Sequence, residues 1–210
     1  MLKKNLKLLI VTSIVILLPI VAGLILWNQL PEKLPIHWNV SGDVDGWANK
    51  PFVVLGIPFI MLALQWLCVL ATLADPKRKN HTGKILNLVF WIVPVISVLL
   101  NIITYAVSMG GNLRVEIILP MVLGLFFVII GNYLPKCKQN YTIGIKIPWT
   151  LNSEENWNRT HRVTGRLWVV CGLAQMLTGF FGGVWTFLAI TIIMVLVPFV
   201  YSFILHRKGV

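Results

Sequence analysis

Six uncharged apolar stretches, at 8–27, 52–74, 85–109, 117–134, 167–183 and 185–205, leave this chain little choice of fold. A bilayer core is roughly 30 Å thick and takes about 20 apolar residues per helix, so each stretch is long enough to span it. Inside hydrocarbon only a helix satisfies its backbone hydrogen bonds within one segment. The expected class is therefore all-α: a polytopic membrane helical bundle with six transmembrane helices. Composition agrees, since 57% of the 210 residues are hydrophobic and only 12% charged, with a mean hydropathy of +0.82. That is too apolar for a water-soluble domain of this size. The apolar run after Lys3, Lys4 and Lys7 continues to Trp27 without a small-residue cleavage site, which reads as a retained first helix. Pro19, Pro58, Pro94 and Pro198 imply kinks rather than breaks, and amides such as Gln65, Asn87, Asn101, Asn132 and Gln175 suit hydrogen bonds between helices.

The 18 Lys and Arg against 7 Asp and Glu give a formal charge of +11. In a membrane chain this excess marks orientation, because basic residues are retained on the cytoplasmic side of short loops; direct nucleic-acid binding is not expected. With the N-terminus inside, only Lys33, Lys50 and Arg114 fall outside, so 15 of the 18 basic residues lie inside. The expectation is a multi-pass protein of the cell membrane with both termini cytoplasmic. It divides into an N-terminal membrane region, 1–84, with an external loop at 28–51, and a second membrane region, 85–210, with a cytoplasmic loop at 135–166. Both loops are too long to be mere connectors, which places function there.

In the external loop, His37, Trp38, Asn39, Gly42, Asp43, Asp45, Gly46 and Trp47 form the candidate ligand-binding set. Asp43-Val44-Asp45-Gly46 looks like the start of a calcium loop but lacks the later bidentate glutamate, and no second histidine lies nearby for a transition metal, so no metal is assigned. The plain structural alternative is a turn at 41–46 set by Gly and Asp, with Trp38 and Trp47 at the membrane surface. A third reading is a peptide-docking surface, with the tryptophans as apolar anchors and Glu32, Asp43 and Asp45 attracting a basic ligand.

In the cytoplasmic loop the candidates for partner binding are Gly144, Lys146, Pro148, Trp149, Thr150, Ser153, Glu154, Trp157, His161 and Arg162. Ser153 suits a helix N-cap, with Glu154 and Glu155 in the favourable first turn. A helix is predicted from Glu154 into the fifth span, with Trp157 and His161 on one face. The plain alternative is an amphipathic interfacial helix, its tryptophan in the headgroups and its basic residues on membrane lipids.

Catalysis finds no motif: there is no GxSxG, HExxH or P-loop, and no cofactor is expected. His81 and His206 lie in basic segments, where solvated side chains are the simplest reading. Cys68, Cys137 and Cys171 are scattered and suggest no disulfide framework. No window carries an ionisable residue of the kind that ion-coupled transport keeps at the bilayer midplane. Transport of a small molecule or peptide along kinked, amide-bearing helices is the alternative function. Gly179 and Gly183 form a GxxxG spacing that reads as tight helix contact.

Taken together, the loops resemble one family. The external IHWNVSGDVDGWANKP resembles the short membrane domain of unknown function that opens many bacterial proteins of the SdpI type. The cytoplasmic YTIGIKIPWTLNSEENWNRTHRVTGRLW resembles the signature of the SdpI family, the immunity proteins against the sporulation-delaying protein toxin. The second match is the more specific, with Gly144, Pro148, Trp149, Thr150, Ser153, Glu154, Trp157, His161 and Gly165 in place; the family often has Arg at the position of Lys146. The resemblance implies a non-enzymatic multi-pass immunity protein and receptor. It implies protection against a secreted, membrane-active toxin peptide and capture of a cytoplasmic transcriptional repressor.

Overall fold

The computed structural model describes residues 2–39, 41–181 and 183–210; the side chains of Lys3 and Lys4 lie outside what is described. The chain forms two compact units, one of Met1–Leu73 with Leu86–Val115, the other of Ala74–Ile85 with Glu116–Val210. Among the described residues, five helical segments are long and apolar enough to cross a membrane: Asn5–Ile25, Phe52–Ala74, Gly83–Ser108, Val115–Lys136 and Val184–Arg207. The remaining expected span, the fifth, falls in the second half of a long helix, Glu154–Phe181, whose first half is polar and charged. The fold is thus a helical membrane protein, with one addition absent from the sequence reading: a two-stranded antiparallel sheet within 28–51.

The first unit contains α1 (Leu2–Ile25), the strands β1 (Lys33–Trp38) and β2 (Val44–Asn49), α2 (Ile57–Ala74) and most of α3 (Gly83–Ser108). Leu9, Val69 and Phe90 form a core where the three helices meet. Proline governs how they pair. Pro94 has no N–H to give the carbonyl four residues back, so the Phe90 carbonyl loses its helical partner. The fully buried Gln65 of α2 supplies one, Nε2 donating at 2.8 Å. Near Pro19 of α1, the Tyr105 hydroxyl donates to the Pro19 carbonyl at 3.1 Å. Pro58 enters α2 behind one wide turn, Phe52–Gly56, closed by Ile57 N–H on the Phe52 carbonyl; such a turn is a usual accommodation of local helix strain. The prolines therefore sit in continuous helices, and the carbonyl that Pro94 frees is met by a neighbouring helix, as hydrocarbon requires. Gln65 joins helices as expected, whereas Asn101 turns back onto the Ser97 carbonyl of its own helix.

The second unit contains α4 (Val115–Tyr133), α5 (Pro148–Asn152), α6 (Glu154–Phe181) and α7 (Val184–Arg207). Helices α4 and α6 approach through glycines spaced seven apart. A Cβ on Gly172 would stand 2.7 Å from the Gly124 carbonyl, one on Gly165 2.6 Å from the Gly131 carbonyl, and one on Gly179 2.7 Å from the Ile117 Cα. Small residues let backbones close in lipid, where apolar side chains gain nothing by leaving water. Of the GxxxG pair only Gly179 takes part, since a Cβ on Gly183 would meet nothing within 4 Å. Between α6 and α7, the Trp168 indole N–H donates to the Met194 carbonyl at 3.0 Å, the one that Pro198 leaves without a partner.

Candidate functional site

The loop at 28–51 is a built platform. Its turn is tied by Asn39, whose side-chain oxygen accepts the N–H groups of Ser41 at 2.9 Å and Asp43 at 3.0 Å, while its backbone N–H donates to the Asp43 carbonyl at 2.8 Å. Gly42 follows at φ +85°, open to glycine at no steric cost. Across the strands His37 pairs with Gly46 and Trp38 with Val44, and irregularities in register flank His37. A Cβ at Gly46 would meet the His37 Cβ at 2.7 Å, so the glycine lets the strands close. His37 Nδ1 lies 2.5 Å from the Asp45 carboxylate on the exposed side. Asp43, Asp45 and Trp47 are exposed, Trp47 by 55%.

The hairpin stands on Leu30, Leu34, Val53, Val54 and Tyr105. Lys50, counted from sequence as an outward-side charge, is a buried cap: its ammonium donates to the carbonyls of Trp27 at 3.2 Å and Leu30 at 3.0 Å and pairs with Glu32 at 3.0 Å. It thereby meets carbonyls left over where the chain leaves α1.

The loop at 135–166 is held from within by polar side chains. Asn140 accepts the N–H of Thr142 at 2.9 Å and Ile143 at 2.7 Å, and its amide donates to the carbonyls of Lys138 and Ile143. Gln139 donates to the carbonyls of Thr150 at 2.8 Å and Leu151 at 3.0 Å. Thr150 folds the entry to α5, its hydroxyl donating to the Ile145 carbonyl at 2.7 Å and accepting Ile147 N–H at 3.2 Å. Ser153 caps α6 as its position predicts, accepting Asn156 N–H at 3.1 Å.

Trp157 and His161 form the centre. Trp157 is fully buried and donates its indole N–H to the Cys137 carbonyl at 2.7 Å. His161, stacked on it at 4.0 Å between ring centroids, accepts Ile145 N–H on Nε2 at 3.0 Å. Because Nε2 accepts, the ring proton sits on Nδ1, which donates to the Trp157 carbonyl at 2.8 Å. Burial pushes His161 down to about 4, against the opposing pull of the Trp157 carbonyl, so the ring is neutral at physiological pH. Gly144, at φ +118°, packs its bare Cα against these two rings. Burial likewise pushes the Cys137 thiol up to about 11, with the Asn140 amide opposing, which leaves it protonated and unreactive.

Two residues outside the predicted set complete this region. Burial alone would raise the Asp75 carboxyl, but N–H donors from Lys77 at 2.7 Å and Tyr141 at 2.8 Å, the Thr142 hydroxyl at 2.9 Å and the His81 ring at 3.4 Å hold it below its ordinary value. His81, expected to be solvated, is buried; burial lowers its affinity for a proton, partly offset by Asp75. A lone carboxylate after an apolar span, ahead of the basic run 77–79, was the available signal for this pair. Trp157 is also not in headgroups: protein encloses it, contrary to the plain interfacial-helix reading.

The predicted partner-binding residues therefore separate by burial. Thr150, Trp157 and His161 are interior; Lys146, Pro148, Glu154 and Arg162 are exposed on the frame that they hold. Trp149 is half-buried against Phe199, Phe203 and His206 of α7, with ring centroids 5.1, 5.0 and 6.0 Å away. Arg159 pairs with Glu155 one turn earlier. Among the described residues no three His, Cys, Asp or Glu side chains gather as a metal site would require. The buried titratable groups are spent on loop geometry, and what remains free is a surface.

Comparison with known proteins agrees with the loop resemblance. Residues 136–202 match the SdpI/YfhL protein family, and residues 14–62 match a domain of unknown function, DUF1648. Over 200 residues, 95% of this chain and 92% of the other, it is 29% identical to the protein named Immunity protein SdpI of Bacillus subtilis (strain 168). No solved structure matches.

Proposed function

We propose that this SdpI-type membrane protein is an immunity protein and receptor, which protects its cell from a secreted, membrane-active toxin peptide. Its termini lie in the cytoplasm, so the hairpin at 28–51 faces outward and the loop at 135–166 inward. The toxin peptide docks on the hairpin, where Trp47 supplies exposed apolar area and Asp43 and Asp45 supply acidic charge. On the inner side, exposed Lys146, Pro148, Glu154 and Arg162 form a surface for a cytoplasmic repressor. The observation that carries the reading is the likeness along 95% of the chain to a protein named for immunity. The two preformed loops support it, because rigid surfaces bind without a large ordering cost. An enzyme fits less well, since His161, Cys137 and Asp75 are bound up in holding the backbone.

Expression in a toxin-sensitive cell tests protection: survival is expected, and unchanged killing with confirmed membrane insertion overturns the immunity reading. Orientation is tested separately, with reporters fused after Gly46 and after Asn152. The first should report from outside and the second from the cytosol; the reverse result overturns the assignment of faces.

A further inference from the structure

The second unit has an apolar cleft beside the 135–166 loop, and Lys146 of the inner loop surface stands at its rim. It measures about 400 Å³ and is lined almost wholly by apolar side chains, among them Ile145 and Ile147 from the 135–166 loop, Trp168 from α6, and Leu196, Pro198 and Phe199 from α7. Pro198 lies in its wall, where a proline in mid-helix releases the Met194 carbonyl and Trp168 turns its indole edge to meet it. A water-filled hollow would need polar groups to bond the water, and this one offers very few.

One end of the cleft changes character. Phe199 leads to Trp149, on which His206 stacks at 6.0 Å between centroids, and Lys146 is exposed between the two lining isoleucines. Arg207 closes the same helix and is also exposed. An apolar slot next to a tryptophan and cations has the polarity order of an amphiphile with an anionic head. We infer that this cleft binds one anionic phospholipid, an acyl chain lying along Pro198 and Phe199 and the phosphate within reach of Lys146. The occupant is a lipid and not a peptide side chain, because the cleft opens on α7, which has the length and composition of a membrane span. Cationic rims attract anionic headgroups, and a buried chain adds affinity for each methylene.

Native mass spectrometry of the detergent-purified full chain, after equilibration with dioleoylphosphatidylglycerol or dioleoylphosphatidylcholine, tests the site with acyl chains held constant. One phosphatidylglycerol per chain is expected to survive removal of detergent at concentrations where phosphatidylcholine does not. Leu196→Trp and Ile147→Trp fill the cleft from opposite walls, and Lys146→Glu reverses its rim charge; each should cut retention at least about fivefold, while Lys79→Glu leaves it unchanged. Two walls are used so that a folding defect in one variant does not hide the answer. Equal retention of the two lipids by the wild type overturns the inference. So does full retention in either tryptophan variant that still elutes as a folded monodisperse species.

Discussion

His161 makes the 135–166 loop acid-sensitive by an amount that the structure sets. Its ring is neutral, accepting Ile145 N–H on Nε2, and burial pushes it down to about 4 from 6.5. Above pH 6.5 both the closed and the opened loop carry a neutral ring, and stability is fully present. As pH falls below 6.5 the opened state takes up a proton and the closed state does not, so stability declines until the closed state titrates near 4. Going from pH 7.5 to pH 5, the difference is about 2 kcal/mol, or roughly a 30-fold rise in loop opening. His81 shifts in the same direction, so the measurement must be a difference. Gln at position 161 retains an acceptor for Ile145 N–H and a donor for the Trp157 carbonyl but does not titrate. The assay is hydrogen exchange at the Ile145 amide in detergent, corrected for the intrinsic rate at each pH. The wild type should lose about 30-fold in protection over this range, and His161→Gln should lose only the smaller part due to other groups. Equal losses in the two proteins would refute the assignment of a neutral, accepting His161.

Gly172→Leu places its Cβ 2.7 Å from the Gly124 carbonyl, backbone that cannot yield; a loss of about 3 kcal/mol or more is expected as a lowered thermal midpoint, while Gly183→Ala, with open space around it, should change little. Trp168→Phe removes the donor to the Met194 carbonyl and should cost about 1 kcal/mol in a reversible unfolding assay. In a Pro198→Ala background, where residue 198 has its own N–H for that carbonyl, the cost should shrink; equal costs in both backgrounds count against the link. Asp75→Asn leaves too few acceptors for Lys77, Tyr141 and Thr142, so trypsin should cut after Lys138 faster, for about 2 kcal/mol of lost loop stability. Asp75 is held below its ordinary 3.8, so in the wild type its contribution is present above that value and is lost only as pH falls through the lower, folded one.

The loop motifs were visible in sequence because they combine residues rare in membrane chains. Ser153 was legible as a cap because capping is local: the oxygen reaches a backbone N–H three residues on. The shared face of Trp157 and His161 followed from helical spacing, but their burial did not. Whether a tryptophan meets headgroups or a Cys137 carbonyl depends on a segment 20 residues away. The hairpin went unpredicted because it is short and carries few of the β-branched runs that mark strands, being closed instead by Asn39, Gly42 and Gly46. The GxxxG spacing was misleading for a related reason: glycines seven apart face one neighbour just as well, and only the partner helix tells which spacing is used.

Hydropathy alone determined that the chain is a set of membrane helices, because the cost of unpaired backbone in hydrocarbon admits no other solution. What each polar residue does inside was decided by tertiary structure. Gln65 and Trp168 find carbonyls that Pro94 and Pro198 release on other helices, Asp75 finds Tyr141 and Thr142, and Lys50 finds the carbonyls beyond α1. Each pairing repays desolvation only where two distant segments meet, and that meeting is a property of packing, to which no single stretch of sequence refers.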